Sequence, residues 1–314
     1  MKKNPFSIYD FMGYLFPGLT VLYILYYFYS YRWDLFQAIR VNVLCNTIDE
    51  IDNKFSFEKS VLIIIIAYII GHLVSYVSSL TIEILSNRFF GYPSKYLLQK
   101  ERPKYEQLWA NYFKVKVDSS WKPMKIIKST FVWIVYLFIF LILLPISLTT
   151  TTIGYLLNMN QFIIRPLDDY LISGIKTRQQ ELAKRIGLNL PEVNQECDYH
   201  RIIMHYVYLN IPACQHKVDN YIALYGFLRC MSFIFCMLFD TFFIFGIYTI
   251  CKFYLHDIAW NLIGELFLLF ILSYISFLAF VKFYRRQTLE NFMSMLTGMP
   301  HDINEGDNTE VEEE

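Results

Sequence analysis

The residues of this sequence best placed to do chemistry are ionisable side chains set inside long apolar runs. His72 and Glu83 lie in the run 61–85, VLIIIIAYIIGHLVSYVSSLTIEIL, and Arg229 and Asp240 lie in the run 225–250. Runs of about 20 apolar residues match the hydrocarbon thickness of a bilayer, and an ionisable group inside one is costly without a partner or a purpose. At about 1.5 Å per residue, His72 falls roughly 16 Å from the start of its run and Asp240 roughly 15 Å from the end of its own, both near the midplane. Glu83 and Arg229 fall about 33 Å and about 31 Å from those same ends, at the opposite boundary. The depths predict two pairs: His72 with Asp240 as a midplane proton or ion site, and Glu83 with Arg229 as a latch at the inner end. Buried pairs that only fix helix register would leave the same trace in sequence.

Beside these charges, Gly71, Ser75, Ser78, Ser79 and Ile82 form a narrow stripe of mostly small residues. Such spacing lets helices approach closely where the hydrophobic effect gives no drive between them, so the stripe reads as a packing seam. Ser75 and Ser79 would line a pore in the sharper reading. Glu265 enters about 10 Å deep in the run 258–281. It would be protonated, bonded to a Tyr or Ser, or turned to water, and an oligomer lining a channel with it would select cations.

Cys197, His200, His205, Cys214 and His216 resemble a metal set at first sight. His200 and His205 stand about 140° apart around a helix, and CxxH followed by CxH fits no standard zinc spacing, so no metal is expected. The spacing of Arg201 and His205 is too short for the ribonuclease pattern it suggests. GxSxG, HExxH, Walker A and GxGxxG are all absent from the chain. The sequence therefore predicts no enzyme and no cofactor.

The elements that must position these groups are transmembrane helices. The chain has 314 residues, 55% hydrophobic and 18% aromatic, with 28 Phe and 25 Tyr, too apolar for an ordinary soluble domain. Its formal net charge of zero argues neither for nor against nucleic acid; juxtamembrane Lys and Arg are expected from topology alone, so nucleic acid is not an expected partner. No CxxC pair or secreted cysteine framework is present, and Cys230 and Cys236 lie in an apolar run, where thiols act as small hydrophobes.

Read in order, 1–85 is an N-terminal transmembrane hairpin whose first limb carries Pro17 and Gly18, predicting a kink or broken turn that could serve as a hinge. Residues 86–220 form a basic, mainly cytoplasmic helical region, with Arg88, Lys95, Lys100, Arg102 and Lys104 opening it. The positive-inside bias places this region, Lys2 and Lys3 in the cytoplasm, and so both termini. Within it, 131–164 is apolar and broken by Pro145; the charge rule favours an apolar hairpin or re-entrant segment there. A helix at 175–186 should end at Gly187, and another should run from near Glu196 to Pro212. Residues 221–286 form a C-terminal transmembrane hairpin, and 287–314 a cytoplasmic tail, acidic and disordered at its end.

The stretch Asp10-Phe11-Met12-Gly13-Tyr14-Leu15-Phe16-Pro17-Gly18, then Gly71-His72 with Ser75, Ser78, Ser79 and Glu83, then Gly91-Tyr92-Pro93-Ser94, resembles a pattern in uncharacterised bacterial multi-pass membrane proteins, some among mobile or phage-defence genes. The resemblance covers mainly the first hundred residues. It implies a bacterial inner membrane and a defence role, and it brings no catalytic residues.

The expected fold is thus all-α and polytopic, with four transmembrane helices, or six if 131–164 crosses twice. The expected function is a non-enzymatic membrane component: an oligomeric channel or membrane-perturbing effector controlled through its cytoplasmic region. Its partners would be the lipid bilayer, further copies of itself and a protein at the cytoplasmic region. A small transporter or a passive membrane anchor are the alternatives.

Overall fold

A computed structural model of the protein describes residues 8–31, 57–99, 112, 122–157, 163–187, 199–252 and 259–298, and no strand occurs among them. The acidic tail beyond 300, Cys197 and the turn at 253–258 lie outside the described residues. The chain is an all-α polytopic membrane protein, with five helices among the described residues long and apolar enough to cross a bilayer: Ile8–Phe28, Ser60–Tyr96, Met124–Ile142, Pro212–Tyr248 and Leu262–Gly298.

Helix α1 (8–31) is not straight-run α-helix. Pro17 has no N–H, so the Gly13 carbonyl loses the donor an α-helix would supply. A π-helical turn, Phe11–Leu15, precedes the proline, with the Phe16 N–H reaching back to the Phe11 carbonyl. The expected irregularity is therefore present, one turn before Pro17. Helix α2 (57–89) contains a second π turn, Ser79–Glu83. Its cause is also local: the hydroxyls of Ser78, Ser79 and Thr81 bond back to the carbonyls of Ser75, Tyr76 and Val77 at 2.9, 2.7 and 2.9 Å, competing with the backbone ladder.

The two helices cross in near contact. A Cβ on Gly18 would stand 1.7 Å from the Ala67 carbonyl oxygen, and one on Gly71 1.8 Å from that of Tyr14. Only glycine fits at either position, which is how α1 and α2 come so close. Past α2, Gly91 takes φ +83°, a left-handed conformation that ends the helix, and Pro93 opens the short α3 (Pro93–Tyr96).

Helix α4 (Lys122–Ile142) starts well before the apolar run that marked it in sequence, because Lys122, Lys125 and Lys128 are spread one per turn. After α4 the chain breaks at Leu143 and continues as two short helices, α5 (Leu144–Thr151), with Pro145 in its first turn, and α6 (Ile153–Leu156). Pro145, Ile146, Ser147, Thr149 and Thr150 of α5 are buried.

Helix α7 (Asp169–Arg185) ends at Gly187, whose φ of +69° makes it the expected cap, and α8 (Tyr199–Asn210) stops just before Pro212. Helices α9 (Pro212–Lys252) and α10 (Ala259–Gly298), of 41 and 40 residues, exceed their apolar runs. At about 1.5 Å per residue each is about 60 Å long, twice the hydrocarbon thickness. They lie antiparallel, with Lys217 on Glu290 at 2.7 Å, Tyr225 against Tyr284, the Ser232 hydroxyl donating to the Ser273 carbonyl at 3.1 Å, and Phe239 against Phe270. Their polar ends pack with α7 and α8 around Ile175, Leu182, Ile203, Val207, Phe292 and Met295, a helical unit beyond the apolar runs.

Candidate functional site

Glu83 and Arg229 meet. The Arg229 Nη1 lies 2.5 Å from Glu83 Oε2, and its Nη2 donates to the Ser75 hydroxyl at 3.2 Å and the Ser75 carbonyl at 3.4 Å. Arg229 is buried, with only 10% of its side chain exposed, against 32% for Glu83. A guanidinium removed from solvent this far needs its charge and its N–H groups matched, and one carboxylate and one serine supply most of that. The π turn shapes the site: Glu83 is its last residue, and the Ser75 carbonyl one turn earlier accepts from both the Ser78 hydroxyl and Arg229.

The π turn of α1 reaches the same place. Cys230 Sγ is 3.6 Å from the Ser78 hydroxyl and 3.8 Å from the Gly13 carbonyl, the acceptor that Pro17 leaves without a helical donor. Both π turns are thus fastened to consecutive residues of α9. Tyr225 and Tyr284, with ring centroids 5.4 Å apart, stand within reach of the Glu83 charge.

His72 and Asp240, expected at one depth, are not joined. The His72 ring stacks on Tyr14 at 3.7 Å and 20°, with Tyr68 edge-on at 4.6 Å, and its residue surface is exposed on the outside of the bundle. No hydrogen bond or ion pair joins it to Asp240 among the described residues, and Asp240 is half-buried on α9. Depth fixes height along a helix and not direction around it: three residues separate His72 from Ser75, about 60° of rotation, and it is the Ser75 side that faces α9. The expected midplane pair is therefore replaced by a histidine held against α1.

The other expected residues are dispersed. Glu265 is half-buried on α10, and the Ser79 hydroxyl is spent on the Tyr76 carbonyl. Ser75 belongs to the Arg229 site. Pro17 and Gly18 sit at the α1–α2 crossing. His200 lies 3.4 Å from the Asn291 amide and edge-on to Phe292, and His216 lies 3.1 Å from Asn220.

No protein-family model, curated protein or solved structure matches this chain.

Sequence reasoning gave no contact role to Tyr14 or Thr81, and it read Ser78 only as part of a packing seam and Cys230 only as a small hydrophobe. The signal for three of them was present: hydroxyls closely spaced at 78, 79 and 81 inside an apolar helix, and a helical proline whose orphaned carbonyl needs a donor from elsewhere. The arrangement locks α1, α2 and α9 together by one ion pair and a set of hydrogen bonds that a shift of α9 by a single turn would break.

Proposed function

We propose that the protein is a non-enzymatic, self-associating membrane effector of channel type, whose helical unit beyond the membrane works on the spanning bundle through α9 and α10. The observation that carries this reading is that α9 runs unbroken from that unit through Arg229 into the apolar bundle. Any displacement of its polar end therefore acts directly on the Glu83 contact, because a helix transmits motion as a rigid body. The pair is the latch of the resting state. Self-association is supported by His72, a polar group exposed near the midplane, since such groups turn to protein or water rather than lipid. The setting is a bacterial inner membrane with both termini cytoplasmic, which the excess of Lys and Arg after residue 86 supports.

Release of an entrapped dye from liposomes carrying the purified chain tests the reading. Release that rises more steeply than linearly with protein per liposome is the expected result, because several copies must meet. Release no greater than from empty liposomes identifies a passive anchor instead.

A further inference from the structure

We infer that α4, although long and apolar enough to cross a bilayer, lies along the membrane surface at the Glu83 end of the bundle, with its apolar stripe in the lipid and its lysines at the anionic headgroups. The inference rests on the reading that α1, α2, α9 and α10 are the crossing helices.

Height is the first argument. The centre of a crossing helix must sit at the midplane, level with His72. Residue 133 is the centre of Met124–Ile142, and Tyr136, about one turn further along, is held by Arg88: the guanidinium donates to the Tyr136 hydroxyl and lies 4.3 Å over its ring. Arg88 stands past Glu83, about 24 Å along α2 from His72. The Tyr112 hydroxyl, donating to the Tyr136 carbonyl at 2.9 Å, adds a second tie at the same level. The middle of α4 is therefore at the bilayer boundary.

The second argument is where the chain goes next. After Leu143 it dips far enough for Ile146 to lie against Cys236, on the apolar side of Arg229. It then returns. The Arg165 carbonyl accepts from Arg285 at 2.9 Å, and the Leu167 N–H donates to the Leu97 carbonyl at 3.0 Å. Arg285 follows Tyr284, the partner of Tyr225, so it too lies beyond Arg229. Residues 136 and 165 are thus tied to one end of the bundle, and the segment between them enters and leaves by the same face.

Third, the surface of α4 has the pattern of an interfacial helix. Met124, Ile127, Phe131, Ile134, Phe138 and Leu141 follow one another at three- and four-residue spacing, and all are exposed. Lys125 falls on the other side and Lys128 at the edge of the stripe, both toward Tyr136 and the buried Ile139, while Ile126 and Trp133 widen the exposed apolar surface on the opposite edge. A helix with one broad apolar face and lysines off that face lies in the headgroup boundary. Standing upright from the Arg88 level, its first half would hold that apolar stripe in water. Lying flat, it leaves four crossings and both termini on one side.

Depth measurement by electron paramagnetic resonance on the full chain in liposomes of phosphatidylcholine and phosphatidylglycerol tests this. Spin labels are placed through Ile127→Cys and Ile134→Cys on α4, and through Leu62→Cys and Ile69→Cys on the exposed face of α2, in a background whose native cysteines are serine, which keeps a donor at position 230. Each pair spans seven residues, about 10 Å along a helix. The expected result is equal, shallow depth at 127 and 134 with about a 10 Å difference between 62 and 69. A 10 Å gradient in both pairs overturns the surface placement and leaves the crossing helices standing. Labels at 127 and 134 that contact no lipid overturn it as well. Equal depth at 62 and 69 removes the crossing reading, and the inference with it.

Discussion

Cys230 Sγ lies 3.8 Å from the Gly13 carbonyl, so a thiol on α9 reaches an acceptor on α1 whose α-helical donor would be residue 17, a proline with no N–H. A local defect in one helix has become a tertiary contact with another.

That relationship makes the effects of two substitutions interdependent. Cys230→Ala leaves the Gly13 carbonyl buried without a donor, at a cost of about 1–3 kcal/mol. Pro17→Ala restores an N–H that can bond to Gly13 within α1. Unfolding in detergent should therefore show the double variant less destabilised than the sum of the singles. Strict additivity would mean that the thiol and the proline are unrelated.

The α1–α2 crossing admits no added atoms at two positions. Gly71→Ala puts a methyl group 1.8 Å from the Tyr14 carbonyl oxygen, and Gly18→Ala puts one 1.7 Å from that of Ala67. Each should cost about 1–3 kcal/mol through forced separation of the helices. Gly13→Ala, whose nearest neighbour is a tyrosine ring atom at 3.4 Å, should be much milder. Thermal unfolding of the three variants ranks them, and equal loss at all three would refute the close approach.

Arg229 and Glu83 should couple strongly. Glu83→Gln leaves a buried guanidinium without its countercharge, a change worth about 3–5 kcal/mol in a closed interior and less here because Glu83 is about a third exposed. A double-mutant cycle with Arg229→Gln should give an interaction energy of about 1–3 kcal/mol. A value near zero would show that the contact does not hold the helices.

His72 provides the complementary case. Its stacking partner is Tyr14, so His72→Ala and Tyr14→Ala should be non-additive, whereas His72→Ala and Asp240→Ala should add within about 0.5 kcal/mol. The reverse pattern would restore a midplane His72–Asp240 pair.

These residues show what the sequence made legible. Counting residues from the ends of apolar runs placed Glu83 beside Arg229 because a rise of 1.5 Å per residue is nearly invariant along helices. The same count failed for His72 and Asp240, since azimuth depends on how neighbouring helices pack, and Gly71 brings α1 rather than α9 to the His72 side. The helices were visible as apolar runs, but not the full lengths of α9 and α10: their polar ends are covered by α7 and α8, and polar composition alone does not distinguish a covered helix from a loop. The π turns left only indirect marks, Pro17 in α1 and the hydroxyls of Ser78, Ser79 and Thr81 in α2. Lys122, Lys125 and Lys128 hid the first turns of α4 for the same reason they now define its polar side.

Dye release from liposomes carrying the full chain, compared among the natural protein, Glu83→Gln and the charge-swapped Glu83→Arg with Arg229→Glu, tests the latch most directly. Release should be about 5- to 30-fold faster for Glu83→Gln, the factor that about 1–2 kcal/mol removed from a closed state produces, and should return toward the natural rate in the swapped pair. Equal release from all three proteins at equal incorporation would contradict it.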